Sequence, residues 1–517
     1  SYRFNHGSQG LYFLAENIDM PTAILDFPSF KRFKRELKKG YDYIGISFII
    51  PNFKKARAMA RAIRKISPKS KIILGGHGVN IPDIESMIDH DFLCKGEGVY
   101  FLRELFGEEK NKTIKHPLHY SSFNRQVMGT PWAPSSGILI TGVGCINKCR
   151  FCATSHFFGE YIPYLKTGKD IFDVCCRYED EMNITDFGVL DENFLKMKDR
   201  ALELLDLMEK NNRRFTFAIF SSAETLKSIG DLDILIRLGI NFVWIGVESK
   251  KEIYAKNKDT DFQILFAELK KRGISVLASL ILFNEEHDKN TIWEDIDFVT
   301  SLNPDYLQFS PLGPIPGTKL YDDYEKQGRL IKNIPYESQH GQGKIWFHHD
   351  KFSRDETDSL LRLAFEIDYN RNGASMLRAI KTTLGGYLYC VRHPDERIRC
   401  RSENYKKSLK MMRYFLTAST IFVQNRQSEI LLKQIKKSFD LQFGKINLLS
   451  RIASLLVVFF SIKEYLRCRI SGDVRAPKTS YLPLNKSFKH ADKMVKTSNA
   501  LKDTLKIPYG LSEQAER

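Results

Sequence analysis

"GCINKCRFCAT", residues 144–154, places Cys145, Cys149 and Cys152 close together on one short segment. The chain has nine cysteines in 517 residues, so three of the nine fall here. Nine cysteines, unevenly spread, do not make a disulfide scaffold for a chain this long, and a reducing cytoplasm fits them better. Three thiolates at C-x3-C-x2-C spacing on one loop converge on a metal centre. The local spacing leaves two centres open. Structural zinc takes four donors, and His156, placed shortly after Cys152, could complete a Cys3His tetrahedron. An iron–sulfur cube normally takes four thiolates. Held by three, it keeps one iron open to a further ligand. Phe151, beside Cys152, would help shield such a cluster from water.

The sequence around the loop alternates strand and helix. Candidate strands are "GILITGVG" (137–144), "DFGVLDENF" (186–194), "RFTFAIF" (214–220), "NFVWIGVES" (241–249), "SVLASLILF" (275–283) and "YLQFSPLG" (306–313). Long helical patterns lie between them, which predicts a partial or full βα barrel with the cysteine loop just after its first strand. Upstream, "DYIGISFII" (42–50), the helical "FKKARAMARAIRKI" (53–66) and "KIILGG" (71–76) give a βαβ rhythm and a parallel sheet. "FKRFKRELKKG" reads as a helix ended by Gly40, and "FLCKGEGVYFLRELF" as a strand, a glycine turn and a helix. Past about residue 350 the strands stop and the pattern is helical. The stretch 471–517 is polar, punctuated by Pro477, Pro483 and Pro508, and reads as a loosely ordered tail.

Charge is uneven. The net charge is +17, and residues 401–517 carry 23 Lys+Arg against 9 Asp+Glu, which is +14 and leaves +3 for the rest. That balance points to an anionic surface near the C-terminal region, or to a solvated basic face. Within that region "LLSRIASLLVVFFSI" (448–462) is the most apolar stretch. Its charge-free core, Ile452–Phe460, is about half of the ~20 residues a bilayer span needs. Basic residues flank it at Lys445, Arg451, Lys463, Arg467 and Arg469. It reads either as a core helix or as an interfacial one making peripheral membrane contact, the latter pairing with a lipid-like substrate. Cys175 and Cys176 are adjacent in a helical pattern, so their side chains diverge. Cys94, Cys390, Cys400 and Cys468 are scattered.

The segment "GCINKCRFC" resembles the signature of radical S-adenosylmethionine (SAM) enzymes, C-x3-C-x-aromatic-C. Later segments resemble the same family in order: "DENF" (191–194), "IGVES" (245–249) and "PLGPIPGTKLY" (311–321). The likeness spans roughly residues 40–375. It implies a [4Fe–4S] cluster on Cys145, Cys149 and Cys152, with SAM on the fourth iron and His156 a bystander. It implies SAM contacts from Phe151, Asp191, Glu248 and Ser221 or its neighbour Ser222. An external electron donor of flavodoxin or ferredoxin type would supply the electron that generates a 5′-deoxyadenosyl radical. One departure stands out: where the family often has a glycine-rich turn behind the adenine, "LILFNEEHD" has Phe283 and Asn284.

A Rossmann-like domain ahead of such a barrel resembles the cobalamin (B12)-binding arrangement. The segments that carry it are "GISF" (45–48), "GGHGVN" (75–80) and "KGEGVY" (95–100), with Ser47, Gly75, Gly76, His77, Gly96 and Glu97 as the implied cobalamin contacts. Glycines at strand ends let a backbone approach a flat macrocycle, and such crevices are where open α/β sheets bind ligands. The Asp-x-His-x-x-Gly motif that supplies an axial histidine elsewhere is absent. The opening strand is not evident before Gly10 either, because "SQGLYFLAENI" already reads as the first helix. The chain also starts without Met, so the expectation is a truncated or a degenerate domain, the latter without cobalamin.

The resulting expectation is α/β: a Rossmann-like B12-binding-type domain (1–125), a radical SAM partial (βα)6 TIM-like barrel (126–335), a helical C-terminal domain (336–470) and a polar basic tail (471–517). The chemistry it implies is cobalamin-dependent methylation of an unactivated carbon on a small or lipid-like molecule. Radical cyclisation, oxidation or rearrangement, RNA modification, and a zinc-bound interaction protein are the alternatives. Nucleic acid is not an expected partner, since no RNA-binding motif is present. After the barrel, "KIWFHHDKFS" (344–353) puts His348 and His349 where they could cap its mouth or face solvent, and Tyr369 and Arg378 are grouped with them.

Overall fold

The structure, a computed structural model, describes residues 7–122, 135–251, 255–472 and 479–483. Near the N-terminus, β1 (Tyr43–Ser47), β2 (Lys71–Gly75) and β3 (Phe92–Leu93) form a parallel sheet in that order. The helix Phe53–Ile66 buries Phe53, Ala56, Ala60 and Ile63, a helical spacing that turns one apolar face to the sheet. Asp91 closes the far end of the sheet. It accepts the Ile72 N–H at 2.8 Å and pairs with Arg64 and Lys71.

The helix Gln9–Glu16 forms where "SQGLYFLAENI" predicts it. The next strand, Ile24–Asp26, does not supply the missing opening strand of the sheet. It pairs antiparallel with Ser480–Leu482. That pairing corrects the expectation for the tail: its residues 480–482 are a strand, while 473–478 and 484–517 lie outside the described residues.

The second sheet holds six parallel strands: β4 (Ser135–Leu139), β5 (Asp186–Val189), β6 (Thr216–Phe220), β7 (Ile240–Glu248), β8 (Ser275–Leu282) and β9 (Tyr306–Pro311). Each strand lies beside its neighbour in sequence. A doubly wound sheet reverses order at a switch point, whereas this one never does, which is the topology of an opened βα barrel. Ile219, Val243, Ile245, Val276, Ala278 and Leu280 are buried, as expected for parallel strands covered on both faces. The strand Tyr120–Ser122 adds antiparallel to β4. By pairing it belongs to this sheet, although it falls inside the segment 1–125, and the proposed boundary at 125 lies outside the described residues.

Six helices follow among the described residues: Arg354–Asn372, Ser375–Val391, Glu396–Arg413, Phe415–Phe422, Arg426–Phe443 and Leu448–Ser471. Ser353 and Glu356 form a capping box that starts the first of them. Arg378 makes a two-pronged, buried ion pair with Asp368, and the Tyr369 carbonyl accepts from Asn425. Arg378 therefore ties two helices together, and the Tyr369 backbone joins a third.

Buried polar contacts help fasten these helices to the barrel. Arg401 donates to the carbonyls of Phe215 and Arg237. Asp305, fully buried just before β9, accepts the Val276 N–H at 2.9 Å and the Thr382 hydroxyl at 2.6 Å, with Lys270 at 3.9 Å. Removing that carboxylate strands the Val276 N–H and the Thr382 hydroxyl in a dry site, while Lys270 keeps its bond to the Asn303 carbonyl. Asp305→Ala is therefore expected to cost about 3 kcal/mol, read as a lower denaturation midpoint with an unchanged slope in urea.

Candidate active site

The cysteine loop leaves the barrel sheet beyond β4, at its C-terminal rim. Gly142–Val143 pairs antiparallel with Ile162–Pro163, so residues 144–161 form a closed excursion. Gly144 opens it at φ 82°, and a Cβ there would stand 1.9 Å from the Glu160 carbonyl oxygen. Only glycine fits that position. Lys148, at φ 46°, turns the chain between Cys145 and Cys149. The Cys152 N–H then donates to the Cys149 carbonyl at 2.9 Å, and Cys152 starts the helix Ala153–Phe158.

Cys145 is buried, and Cys149 and Cys152 are half-buried. Burial pushes the Cys145 thiol up to about 11, and the nearby Glu192 and the other two thiols push the same way. Burial also raises Cys149, against the pull of Lys256. The three sulfurs thus lie within each other's field in a poorly solvated loop, where a cationic centre is what would hold them as thiolates.

His156 is half-buried and its Nε2 has no partner. Among the described residues, no group of three or more His, Cys, Asp or Glu is arranged to hold a single metal ion. A Cys3His zinc tetrahedron with His156 is therefore not assembled. The thiolates of a four-iron cube bind different irons and stand farther apart than those around one zinc. Three mutually close but uncrowded thiols fit the cube.

A charged wall faces the loop from β7. The register of β7 against β8 shifts between Gly246 and Glu248, and Glu248 takes the left-handed conformation at φ 65°. Its Oε1 lies 2.6 Å from Lys256 Nζ, in a pair that is largely buried. A Cβ on Gly246 would strike Glu248 Oε1 at 2.1 Å and Lys256 Nζ at 2.6 Å, so the glycine makes the room this pair occupies. Burial pulls the Lys256 ammonium down, but Glu248 and the thiols of Cys149 and Cys152 outweigh it and the net shift is upward. Glu192 sits between Thr154 and Lys256, open to solvent in the recess yet with its carboxyl raised by desolvation. Sequence reasoning named Glu248 and did not name Lys256 or Glu192, which the structure places beside it. Glu192 lies inside the quoted "DENF". Lys256 lies on the short 3-10 turn Ala255–Asn257, which carries no motif.

The other residues named as SAM contacts divide. Phe151 lines the cavity described below. Asp191 has a different role, because its carboxylate is already taken. Oδ2 accepts from Thr141, Tyr161 and Arg200 at 2.6, 2.7 and 2.8 Å, and Oδ1 accepts the Asn193 N–H. It braces the loop after β5 from behind. Ser221 is buried and its hydroxyl turns to Asn193 and the Ser222 carbonyl. Ser222 caps the helix Ala223–Ile229.

Between loop and wall lies a cavity of about 430 Å³, lined in part by Cys149, Phe151, Lys256, Asn284, Leu312 and Leu320. These residues come from four strand ends of the rim. Phe283 answers the missing-glycine question. Its backbone keeps a glycine-like φ of 61°, and its fully buried ring packs edge-on against Phe352 at 5.3 Å. A bulky residue in that conformation stores strain that the packing must offset. His349 Nε2 donates to the Asn284 carbonyl at 3.0 Å, tying the post-barrel segment to this turn. His348 is exposed.

The glycine turns of the N-terminal sheet face the same loop but are filled by the chain itself. A Cβ on Gly78 would meet the Phe48 ring at 2.2 Å, and one on Gly76 the Phe48 carbonyl at 2.6 Å and the Ser47 hydroxyl at 3.0 Å. His77 lies against Phe157 with ring centroids 4.4 Å apart and ring planes tilted by 37°, and burial lowers its pKa. Gly96 stands against the Phe157 carbonyl, and a Cβ on Gly75 would reach the Cys94 Cβ at 3.7 Å. Glu97 accepts the N–H groups of Val99 and Tyr100 as a helix cap and also accepts the Tyr164 hydroxyl. Phe157 thus packs against the glycine-turn edge of the N-terminal sheet.

No family model matches the sequence. A bacteriochlorophyllide d C-8(2)-methyltransferase of Chlorobaculum tepidum is 26% identical over 326 residues, 56% of this chain and 70% of that protein. An uncharacterised methyltransferase of Pyrococcus horikoshii is 22% identical over 317 residues, 54% of this chain and 69% of that protein. Among solved structures, the radical S-adenosylmethionine methyltransferase TsrM from Kitasatospora setae, with tryptophan substrate and the SAM analogue aza-SAM bound, matches with a TM-score of 0.50 at 14% identity. The match covers 79% of this chain and 96% of that one, and it shows a shared fold.

The loop geometry makes a direct test. Gly144→Ala is expected to force the loop off Glu160 and to open the buried thiol of Cys145. In metal-free protein, Cys145 should react slowly with Ellman's reagent in the parent chain, and at least about tenfold faster in the variant, as expected for a thiol brought out of a buried site.

Proposed function

We propose that this chain is a radical SAM enzyme that transfers a methyl group, with Cys145, Cys149 and Cys152 holding a [4Fe–4S] cluster. The observation that carries this reading is the three-thiol loop set against the Glu248–Lys256 pair, with Cys149 and Lys256 lining one cavity. A cluster held by three thiolates leaves one iron open to SAM and supplies the electron for its cleavage. Around that centre the chain's own groups have separable tasks. Lys256 balances negative charge near Cys149 and Cys152. The Glu248 carboxylate and the Lys256 ammonium match the ammonium and carboxylate of the SAM methionine part. Phe151, Leu312 and Leu320 keep water away. Asp191, Arg200 and Tyr161 keep the loop after β5 in place. Methyl transfer, as against other radical outcomes, is supported by the names of both curated relatives. A soluble flavodoxin- or ferredoxin-type protein is the proposed electron donor, and a small or lipid-like molecule the proposed substrate.

Cobalamin dependence of that transfer is part of the proposal. The order of the glycine turns supports it, and the contact of Phe157 with His77 opposes it. Radical cyclisation, oxidation or rearrangement without methyl transfer is the second reading, favoured by that same contact.

Anaerobically reconstituted protein is expected to hold roughly four irons per chain, and Cys145→Ala, Cys149→Ala or Cys152→Ala to lose them. Zinc without iron would overturn the proposal. Glu248→Gln is expected to weaken SAM binding at least about tenfold while leaving iron content unchanged, as befits loss of one buried charged contact. Under turnover, S-adenosylhomocysteine together with 5′-deoxyadenosine indicates radical methylation, and 5′-deoxyadenosine alone indicates the second reading. Added hydroxocobalamin that co-elutes with its visible spectrum decides the cobalamin part.

A further inference from the structure

The helix Leu448–Ser471 is built inside out. Its buried face carries small or short residues: Ser454, Val457 and Ser461. That face packs on the helix Phe415–Phe422, with Tyr465 beside Phe422. The large apolar residues point the other way. Leu448, Ile452, Leu455, Phe459, Ile462 and Leu466 repeat at helical spacing, and all are exposed. Leu455 is 62% exposed, Phe459 60% and Ile470, which continues the row, 84%. At about 100° per residue this row fills an arc of about 80° along a helix about 36 Å long. A soluble surface rarely carries a continuous apolar stripe of that size without a partner.

The charges around the stripe say what the partner is. Arg451 and Arg469 border it on one side and Lys463 lies toward the other; all three are exposed and pair with no carboxylate among the described residues. The only acidic residue of the helix, Glu464, sits away from the stripe and is taken by Arg467. Residues 401–517 together carry +14. Among the described residues no helix is long and apolar enough to cross a membrane. An apolar stripe edged by unpaired cations, on a helix that does not span, is the pattern of a segment lying in a bilayer interface.

We infer that the helix Leu448–Ser471 docks this protein on an anionic phospholipid surface, its apolar stripe in the acyl boundary and Arg451, Lys463 and Arg469 at the head groups. This holds whatever reaction the barrel performs, and its test does not depend on cluster or substrate. A second copy of the chain and the segment 484–517 are the competing covers.

The test is flotation of the full chain with vesicles of phosphatidylcholine alone and of phosphatidylcholine with phosphatidylglycerol. Capture is expected mainly by the anionic vesicles. It should weaken between about 0.1 M and about 1 M salt, as the screening length falls from about 10 Å to about 3 Å. Phe459→Glu, and separately the milder Leu455→Ser, should reduce capture at least about fivefold with circular dichroism unchanged, since both side chains face out of the fold. Failure of the parent chain to float with anionic vesicles overturns the proposal, as does capture that Phe459→Glu leaves unchanged. In the first case, a dimer by light scattering that Phe459→Glu splits assigns the stripe to a second copy. A monomer whose melting temperature falls on Phe459→Glu assigns it to the chain's own tail.

Discussion

Six strands running the same way put six C-terminal ends on one rim, and every candidate group for chemistry depends on that polarity. The cysteine loop leaves after β4, Glu192 after β5, Glu248 at the end of β7, Asn284 after β8 and Leu312 after β9. The same polarity creates the problem that the rest of the chain solves. A parallel sheet is buried on both faces, and an opened one also leaves an exposed mouth. Helices between the strands cover the outside. The N-terminal sheet closes on the cysteine loop through His77 and Phe157, and Trp346 closes on the turn after β9 by donating to the Pro314 carbonyl at 3.1 Å. The C-terminal helices lock underneath through Asp305 and Arg401.

Buried charge in this protein comes in two kinds, and the difference separates scaffold from site. Asp191 with Arg200, and Asp368 with Arg378, are buried pairs in which both carboxylate oxygens are engaged. Such pairs gain little over apolar packing but are costly to break, so they fix a geometry. Glu248 with Lys256 is different. The pair stands on a bulged strand end, in a conformation that glycine usually takes, and Lys256 lines the cavity beside the thiols. Strain and charge brought together at one point suit a site for an ionic ligand. Phe283 repeats the pattern at the next rim turn: the left-handed backbone is kept although the side chain is large.

Much of the fold was legible in the sequence because parallel strands buried on both faces read as short apolar runs, and all six predicted barrel strands appear where those runs lie. The three thiols were legible as a group because their spacing within one loop limits how far apart they can be. Lys256 was not, since its place depends on a loop of no fixed period folding back across β7. Asp191 was misplaced for a related reason. A sequence shows a carboxylate at a strand end but not that Thr141, Tyr161 and Arg200, from three other segments, have already taken it. The tail misled through composition: a polar, proline-punctuated stretch still supplies Ser480–Leu482 as the partner of Ile24–Asp26.

By itself, the sequence determined which elements form, in what order, and which loop carries the thiols, since these follow from local periodicity and spacing. Tertiary structure decided what each side chain is free to do. It showed that no zinc tetrahedron with His156 is assembled, that the glycine turns of the N-terminal sheet are filled by Phe48 and Phe157, and that the apolar face of the helix Leu448–Ser471 points outward. Each of these turns on which groups from distant segments meet and use up one another's contacts, which only packing in three dimensions sets.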